Sequence, residues 1–152
     1  MLKTDQYKII KADVSYINRI KEINSFLPYD NWSEENFMNS FKWDLPVFVI
    51  KDLNDLVVGY SISLFCLEEV KIINVMIDPK YQGQGYGKAI MLHVLHDAIS
   101  QGIQYAMLDV RVINTAAISL YHQLGFRVIS VRPNYYTDKI ICDAYLMQLR
   151  LK

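Results

Sequence analysis

The stretch YQGQGYGKAI, residues 81–90, sets Gly83, Gly85 and Gly87 at alternate positions directly before Lys88 and an apolar run. Glycine loses more backbone entropy on ordering than any other residue, so three within five positions need a reason. The first N–H groups of a helix have no partner inside it and carry partial positive charge. Glycines in front of such a start let a phosphate group approach those donors, and Lys88 adds a cation. The chemistry on offer is the grip of a diphosphate by main chain.

Three phosphate-loop patterns compete. The G-x-x-x-x-G-K-[ST] loop requires four residues between its glycines and a hydroxyl after the lysine. Here three residues separate Gly83 from Gly87, and Ala89 stands at the hydroxyl position. The dinucleotide pattern G-x-G-x-x-G is a near miss, with Asp109 at a plausible distance downstream. However, the loop sits mid-chain and leaves few residues for a second nucleotide-binding half. The third reading is acyl-CoA binding, with Gln82, Gly83, Gln84, Gly85, Tyr86, Gly87 and Lys88 around the pyrophosphate. A plain strand–helix turn accounts for one glycine and fits three at this spacing poorly.

Other residues carry weaker signals. Tyr135 and Tyr136 are paired aromatics with hydroxyls, suited either to gripping a peptide backbone or to packing on a sheet. Trp32 forms an opposite wall or staples the helix it precedes. His93 and His96 read as helix-surface residues, as does His122, and no metal site is expected. Cys66 and Cys142 lie in apolar segments and read as small buried hydrophobes of a reducing compartment.

Composition narrows the class. Of 152 residues 52% are apolar, and sixteen basic residues balance sixteen acidic ones. The chain can bury a core without disulfides or metal, and its net charge points to neither nucleic acid nor membrane. No leader segment or bilayer-spanning run is read, so the expectation is one cytoplasmic domain over residues 1–152, a monomer or weak dimer.

These residues must be positioned by secondary structure. Tyr7–Lys11 reads as a strand, Asp13 as the cap of a helix to about Phe26, and Ser33 as the cap of a second helix to about Phe41. Pro46–Lys51, Leu56–Leu67 and Glu69–Asp78 read as strands. A helix follows over Lys88–Gln101, stopped by Gly102, then a strand over Tyr105–Val110. Asn114 caps a helix from Thr115 to Leu124. Phe126–Val131 and Ile140–Leu149 close the chain, joined by RPNYYTDK. The fold class is mixed α/β (α+β), with seven mostly antiparallel strands, four helices and one parallel βαβ unit around the glycine loop.

Gln82-x-x-Gly85-x-Gly87, after the strand ending Val75-Met76-Ile77-Asp78-Pro79, resembles the cofactor signature of the GNAT acetyltransferase superfamily. LDVRVINTAAISLYHQLGF, residues 108–126, resembles the second half of that signature. The wording is similar to the RimI-type subfamily, which acetylates the N-terminal alanine of the eighteenth small-subunit ribosomal protein. The resemblance implies a GNAT fold and acetyl-CoA as co-substrate. It implies main-chain contacts from Val75, Met76 and Ile77, and a cofactor contact from Asn114. Tyr121 would give a proton to the leaving thiolate and contact the cofactor. Asp109 stands at the family's catalytic glutamate position and is the first candidate base. Its plain alternative is an ion pair with a basic neighbour such as Arg111. Glu69 is the second candidate base. Trp32, Tyr135 and Tyr136 fall where the family binds its peptide, although Asn31 and Ile140-Ile141-Cys142 depart from its pattern.

The resulting expectation is an N-terminal protein acetyltransferase working by direct attack, without metal. At pH 7 an α-amine is about one-tenth neutral and a lysine less than about one-thousandth. A base acting through water therefore suits an N-terminus better. The alternatives are a GNAT enzyme acting on lysine or a small amine such as a polyamine or antibiotic, and a non-catalytic acyl-CoA-binding module.

Overall fold

Asp13 accepts the Ser15 backbone N–H at 2.9 Å and opens a single tight turn, Val14–Tyr16, which runs directly into helix α1 (Ile17–Ser25). The expected cap is therefore present, one turn ahead of the regular helix. The computed structural model describes residues 2–29 and 32–151. Part of the expected loop Leu27–Trp32, including Asn31, lies outside the described residues. Ser33 caps α2 (Glu34–Lys42), its hydroxyl accepting from Asn36 N at 3.1 Å, with Glu34 and Glu35 in the first turn. Trp32, just before the cap, meets Phe37 of the first turns with ring centroids 5.3 Å apart. This is a hydrophobic staple.

The strands are β1 (Lys8–Lys11), β2 (Val47–Lys51), β3 (Val57–Cys66), β4 (Glu69–Ile77), β5 (Tyr105–Arg111), β6 (Arg127–Tyr136) and β7 (Cys142–Arg150). They form one sheet in the order β1-β2-β3-β4-β5-β7-β6. Its one parallel pair, β4 with β5, is joined by helix α3 (Tyr86–Ser100), so the expected βαβ unit is present. Helix α4 (Thr115–Gln123) links β5 to β6, and Asn114 caps it by accepting from Ala117 N at 3.2 Å.

Each sheet face buries its own core. On one side Ile90, Met91 and Val94 of α3 pack on Val70, Ile72, Ala106 and Leu108, joined by Tyr121 and Phe126. On the other, Ile20 and Ile23 of α1 and Phe37 of α2 pack on Val49, Tyr60 and Ile62. A fully buried aliphatic side chain contributes about 1.5–3 kcal/mol relative to exposure, and both helix layers rest on this.

Several expectations are corrected. Strand β6 runs to Tyr136, through residues expected as a connector. It is an edge strand, where Pro133 leaves no ladder bond unmade, and a register shift between Arg132 and Tyr136 accommodates Asn134 at φ +50°. Cys142 is buried as expected, but Cys66 is exposed. His93 is half-buried against Phe48, with ring centroids 4.7 Å apart, and burial pushes its pKa below the ordinary value.

Candidate active site

The loop between β4 and α3 begins at Asp78, which is buried. Its carboxylate accepts Lys80 N at 3.0 Å and pairs with Arg19 at 2.7 Å. Burial pushes the Asp78 carboxyl up, but the Lys80 N–H and the Arg19 guanidinium outweigh it and hold it below its ordinary value. Gln82 turns back and donates its side-chain amide to Ile77 O at 3.0 Å. Its side chain therefore fixes the loop to the end of β4.

The three glycines answer three separate demands. Gly83 and Gly85 adopt φ of +77° and +100°, and Gly85 is the helix N-cap. Gly87 lies within the first turn of α3, where an added Cβ would sit 3.3 Å from Leu120 Cδ2 of α4. Among the described residues, no main-chain bond uses the N–H groups of Gly83 through Lys88; the first amide to find a carbonyl is Ala89, bonded to Gly85 O at 3.0 Å. Six consecutive donors at a helix start thus have no main-chain partner among the described residues; a Cβ at Gly83 would meet nothing within 4 Å, whereas one at Gly85 would meet Leu2 at 3.7 Å. This arrangement fits an anionic diphosphate.

A cavity of about 460 Å³ opens beside these donors. It brings together Val75, Met76 and Ile77 of β4, then Gln82, Gly83, Gly85, Tyr86, Gly87 and Lys88, and Tyr121 of α4. Gln84 and Asn114 do not line it. Ala116, Ala117 and Leu120 do, although the sequence did not offer them as cofactor contacts. The Tyr86 side chain is buried, and burial raises its hydroxyl pKa, so the loop gains its main chain rather than its ring. Tyr121 is 8% exposed, with its ring centroid 5.9 Å from that of Phe126. Its hydroxyl makes no hydrogen bond among the described residues, and burial pushes its pKa up to about 12.

β4 and β5 pair only from Glu69–Tyr105 to Ile72–Leu108. Beyond that point β4 continues to Ile77 on β3 alone, and β5 continues on β7. The two strands part beside the cavity and leave main-chain groups of Ile73–Ile77 unpaired on the β5 side. Just past the parting, on the face opposite the α3 core, stands Asp109. Its side chain is 7% exposed and pairs with Lys71 Nζ at 2.8 Å; Arg132 Nε approaches at 3.1 Å without hydrogen-bond alignment. Asp109 thus has ion-pair partners, but Arg111 is not one of them. Arg111 instead forks onto Asp138 at 2.7 and 2.6 Å and donates to Ile140 O at 2.9 Å. Its guanidinium lies 4.2 Å from the ring centroid of Tyr29 and 4.1 Å from that of Tyr136. Tyr135 covers Arg132 at 5.4 Å.

A helix start whose amides have no main-chain partner among the described residues, a cavity beside it, a gap between parallel strands and a polar cluster beyond that gap thus lie together. The profile of the acetyltransferase (GNAT) family matches residues 17–126. The chain belongs to this family. It is 34% identical over 119 residues to the [ribosomal protein bS18]-alanine N-acetyltransferase of Escherichia coli (strain K12), covering 78% of this chain and 80% of that one. The crystal structure of the ribosomal-protein-S18-alanine N-acetyltransferase from Escherichia coli superposes with a TM-score of 0.88 at 28% identity, over 96% of this chain and 94% of that one. The Salmonella typhimurium protein yncA, solved with its cofactor acetyl-CoA, shares the fold at a TM-score of 0.82 and 24% identity, over 96% of this chain and 94% of that one. The expected GNAT fold and acyltransferase class are therefore borne out, with acetyl-CoA as co-substrate.

The structure gathers some of the expected residues around the cavity and leaves others away from it. Glu69 is exposed at the far end of β4, six residues and roughly 20 Å of strand before Val75. The structure does not bring it to the gap. Trp32 staples α2, and its backbone N–H is held by Asn24 Oδ1 at 3.0 Å. Tyr136 and Tyr135 lie on arginines beside Asp109 and Arg111. Lys71, Arg111, Arg132, Tyr29 and Asp138, which the sequence did not offer as site residues, cluster with Asp109 beyond the gap. The available signal was period two: Lys71 alternates with buried Val70 and Ile72, and Asp109 and Arg111 are two apart on one strand.

Proposed function

We propose that this GNAT enzyme transfers the acetyl group of acetyl-CoA to the α-amine of a protein N-terminus, with the N-terminal alanine of ribosomal protein bS18 as acceptor. The observation that carries the proposal is the parting of β4 from β5, with helix-start amides that lack main-chain partners on one side and a polar cluster on the other. The name and coverage of the Escherichia coli relative support the acceptor. That no described helix is long and apolar enough to cross a membrane accords with a cytoplasmic enzyme.

The main-chain amides of Gly83–Lys88 hold the diphosphate. The exposed edge of β4 at Val75–Ile77 guides the thioester into the gap and offers donors to the carbonyl oxygen as charge develops on it. The neutral amine attacks the carbonyl carbon, a C–N bond forms and the C–S bond breaks. The amine proton leaves through water to Asp109. Tyr121, whose hydroxyl keeps its proton through neutral pH, offers it to the departing sulfur.

The test is thiol release with acetyl-CoA and a peptide beginning Ala-Arg, against the same peptide with a blocked N-terminus. Release with the free peptide alone is the expected result. Release only with lysine or polyamines moves the acceptor class, and tight coenzyme binding without turnover removes the activity.

A further inference from the structure

The polarity of one buried hydrogen-bond chain can be followed from its outer end. The Trp32 backbone N–H can only donate, so the Asn24 atom it meets at 3.0 Å is Oδ1. Asn24 must then turn Nδ2 the other way, where it donates to Tyr60 Oη at 3.1 Å. Tyr60 accepts that bond and gives its single proton to Asn74 Oδ1 at 2.9 Å. Asn24 is 2% exposed and Tyr60 is fully buried, so the chain cannot exchange these bonds freely with water. What remains is the Asn74 side-chain nitrogen. It is buried, carries two N–H donors and has no partner among the described residues.

Asn74 lies two residues past the last β4–β5 pair. A β-bulge puts it there. Ile62 pairs with Asn74 while Ser63 pairs with Ile72, so Ile73 is the extra residue, and Ile73 and Asn74 both face the α1–α2 side. Bulges re-aim side chains next to sites in this way. Oδ1 of the amide is engaged with Tyr60 on β3, so Nδ2 is the arm left over, on a residue that has no strand partner on its β5 side. Asn74 does not line the coenzyme cavity, and it shares its sheet face with Asp109. A preset, desolvated donor on the acceptor side of the gap needs an oxygen that arrives with the acceptor.

We propose that Asn74 is a specificity-determining residue that donates to the first carbonyl oxygen of the acceptor peptide. An N-terminal α-amine has that oxygen three bonds away; a lysine ε-amine or a polyamine has none at that distance. Asn74 thus selects α-amines over other amines. This rests on the N-terminal reading of the acceptor.

The experiment compares wild type, Asn74→Asp, Asn74→Leu and Tyr60→Phe on two acceptors: an Ala-Arg peptide, and the same peptide with its first amide replaced by an alkene. Acetyl-CoA binding by calorimetry establishes that each variant is folded. Wild type should lose roughly tenfold in kcat/KM on the alkene peptide, the worth of about one hydrogen bond. Asn74→Asp and Asn74→Leu should lose at least as much on the amide peptide and nothing further on the alkene one. Tyr60→Phe, which unlocks the amide but keeps the ring, should fall between. Equal losses on both peptides in the Asn74 variants overturn the proposal and leave the N-terminal reading intact. Wild-type turnover with polyamines but with neither peptide overturns the reading and the proposal together.

Discussion

At the scale of the residue, Tyr121 concentrates the chemistry. A buried tyrosine hydroxyl ordinarily finds a partner, and this one faces the cavity without one. Ala117, Leu120, Tyr121 and Leu124 fall at i, i+3, i+4 and i+7, the spacing of a core stripe, and Tyr121 does pack in the core while it also lines the cavity. Tyr121→Phe keeps the packing and removes the proton. Turnover should fall roughly a hundredfold, the ordinary scale of a general acid, while acetyl-CoA affinity by calorimetry stays within about twofold. The raised pKa also sets a stability window. The unfolded tyrosine titrates near 10 and the folded one near 12, so its contribution is complete below pH 10 and is lost as pH rises from about 10 to about 12. Denaturant midpoints measured across pH 9–12 should fall more steeply for wild type than for Tyr121→Phe.

At the scale of the element, the glycine loop separates conformation from contact. Gly83→Ala meets no neighbour but forces a side chain to φ +77°, at a cost of about 1–2 kcal/mol, or roughly 2–8 °C of Tm. Gly87→Ala is helical and unstrained, and gains up to about 1 kcal/mol of helix propensity, yet its Cβ presses Leu120 toward the cavity. The expected signature is opposite: Tm held or raised, with the KM for acetyl-CoA raised about threefold, by calorimetric scan and thiol assay. That contrast also shows what the sequence could reveal. Helices α2, α3 and α4 were legible because their ends are chemical: Ser33 and Asn114 cap, and Gly102 and Gly125 stop at φ +80° and +100°. The phosphate loop was legible because amides and glycines adjacent in sequence act together. The far half of β6 was hidden because Pro133 reads as a breaker unless the strand is known to be an edge. The parting of β4 from β5, the Arg111 stack and the Asn24–Tyr60–Asn74 chain were hidden for another reason. Each is a relation between elements distant in sequence, and no local pattern encodes it.

At the scale of the molecule, the proposed reaction has the sheet divide the two substrates. The cavity is built from β4, α3 and α4, and the polar cluster beyond the gap is held together largely by Arg111. This arginine is 3% exposed and joins three parts of the chain: β5, the segment after α1 through Tyr29, and the β6–β7 connection through Tyr136, Asp138 and Ile140. A flat guanidinium can stack between two rings while Nη2 meets both Asp138 oxygens and Nη1 reaches Ile140 O; a lysine ammonium keeps the charge but cannot stack or span both partners. Arg111→Lys should therefore cost about 1–2 kcal/mol, lowering Tm by roughly 2–8 °C, and should loosen residues 137–141, read as faster amide exchange there. Because no Arg111 partner lines the coenzyme cavity, the KM for acetyl-CoA should stay within about twofold. The KM for a peptide acceptor should rise roughly tenfold as the polar cluster loosens. A matching rise in both KM values would mean that the brace supports the whole sheet rather than the acceptor side alone.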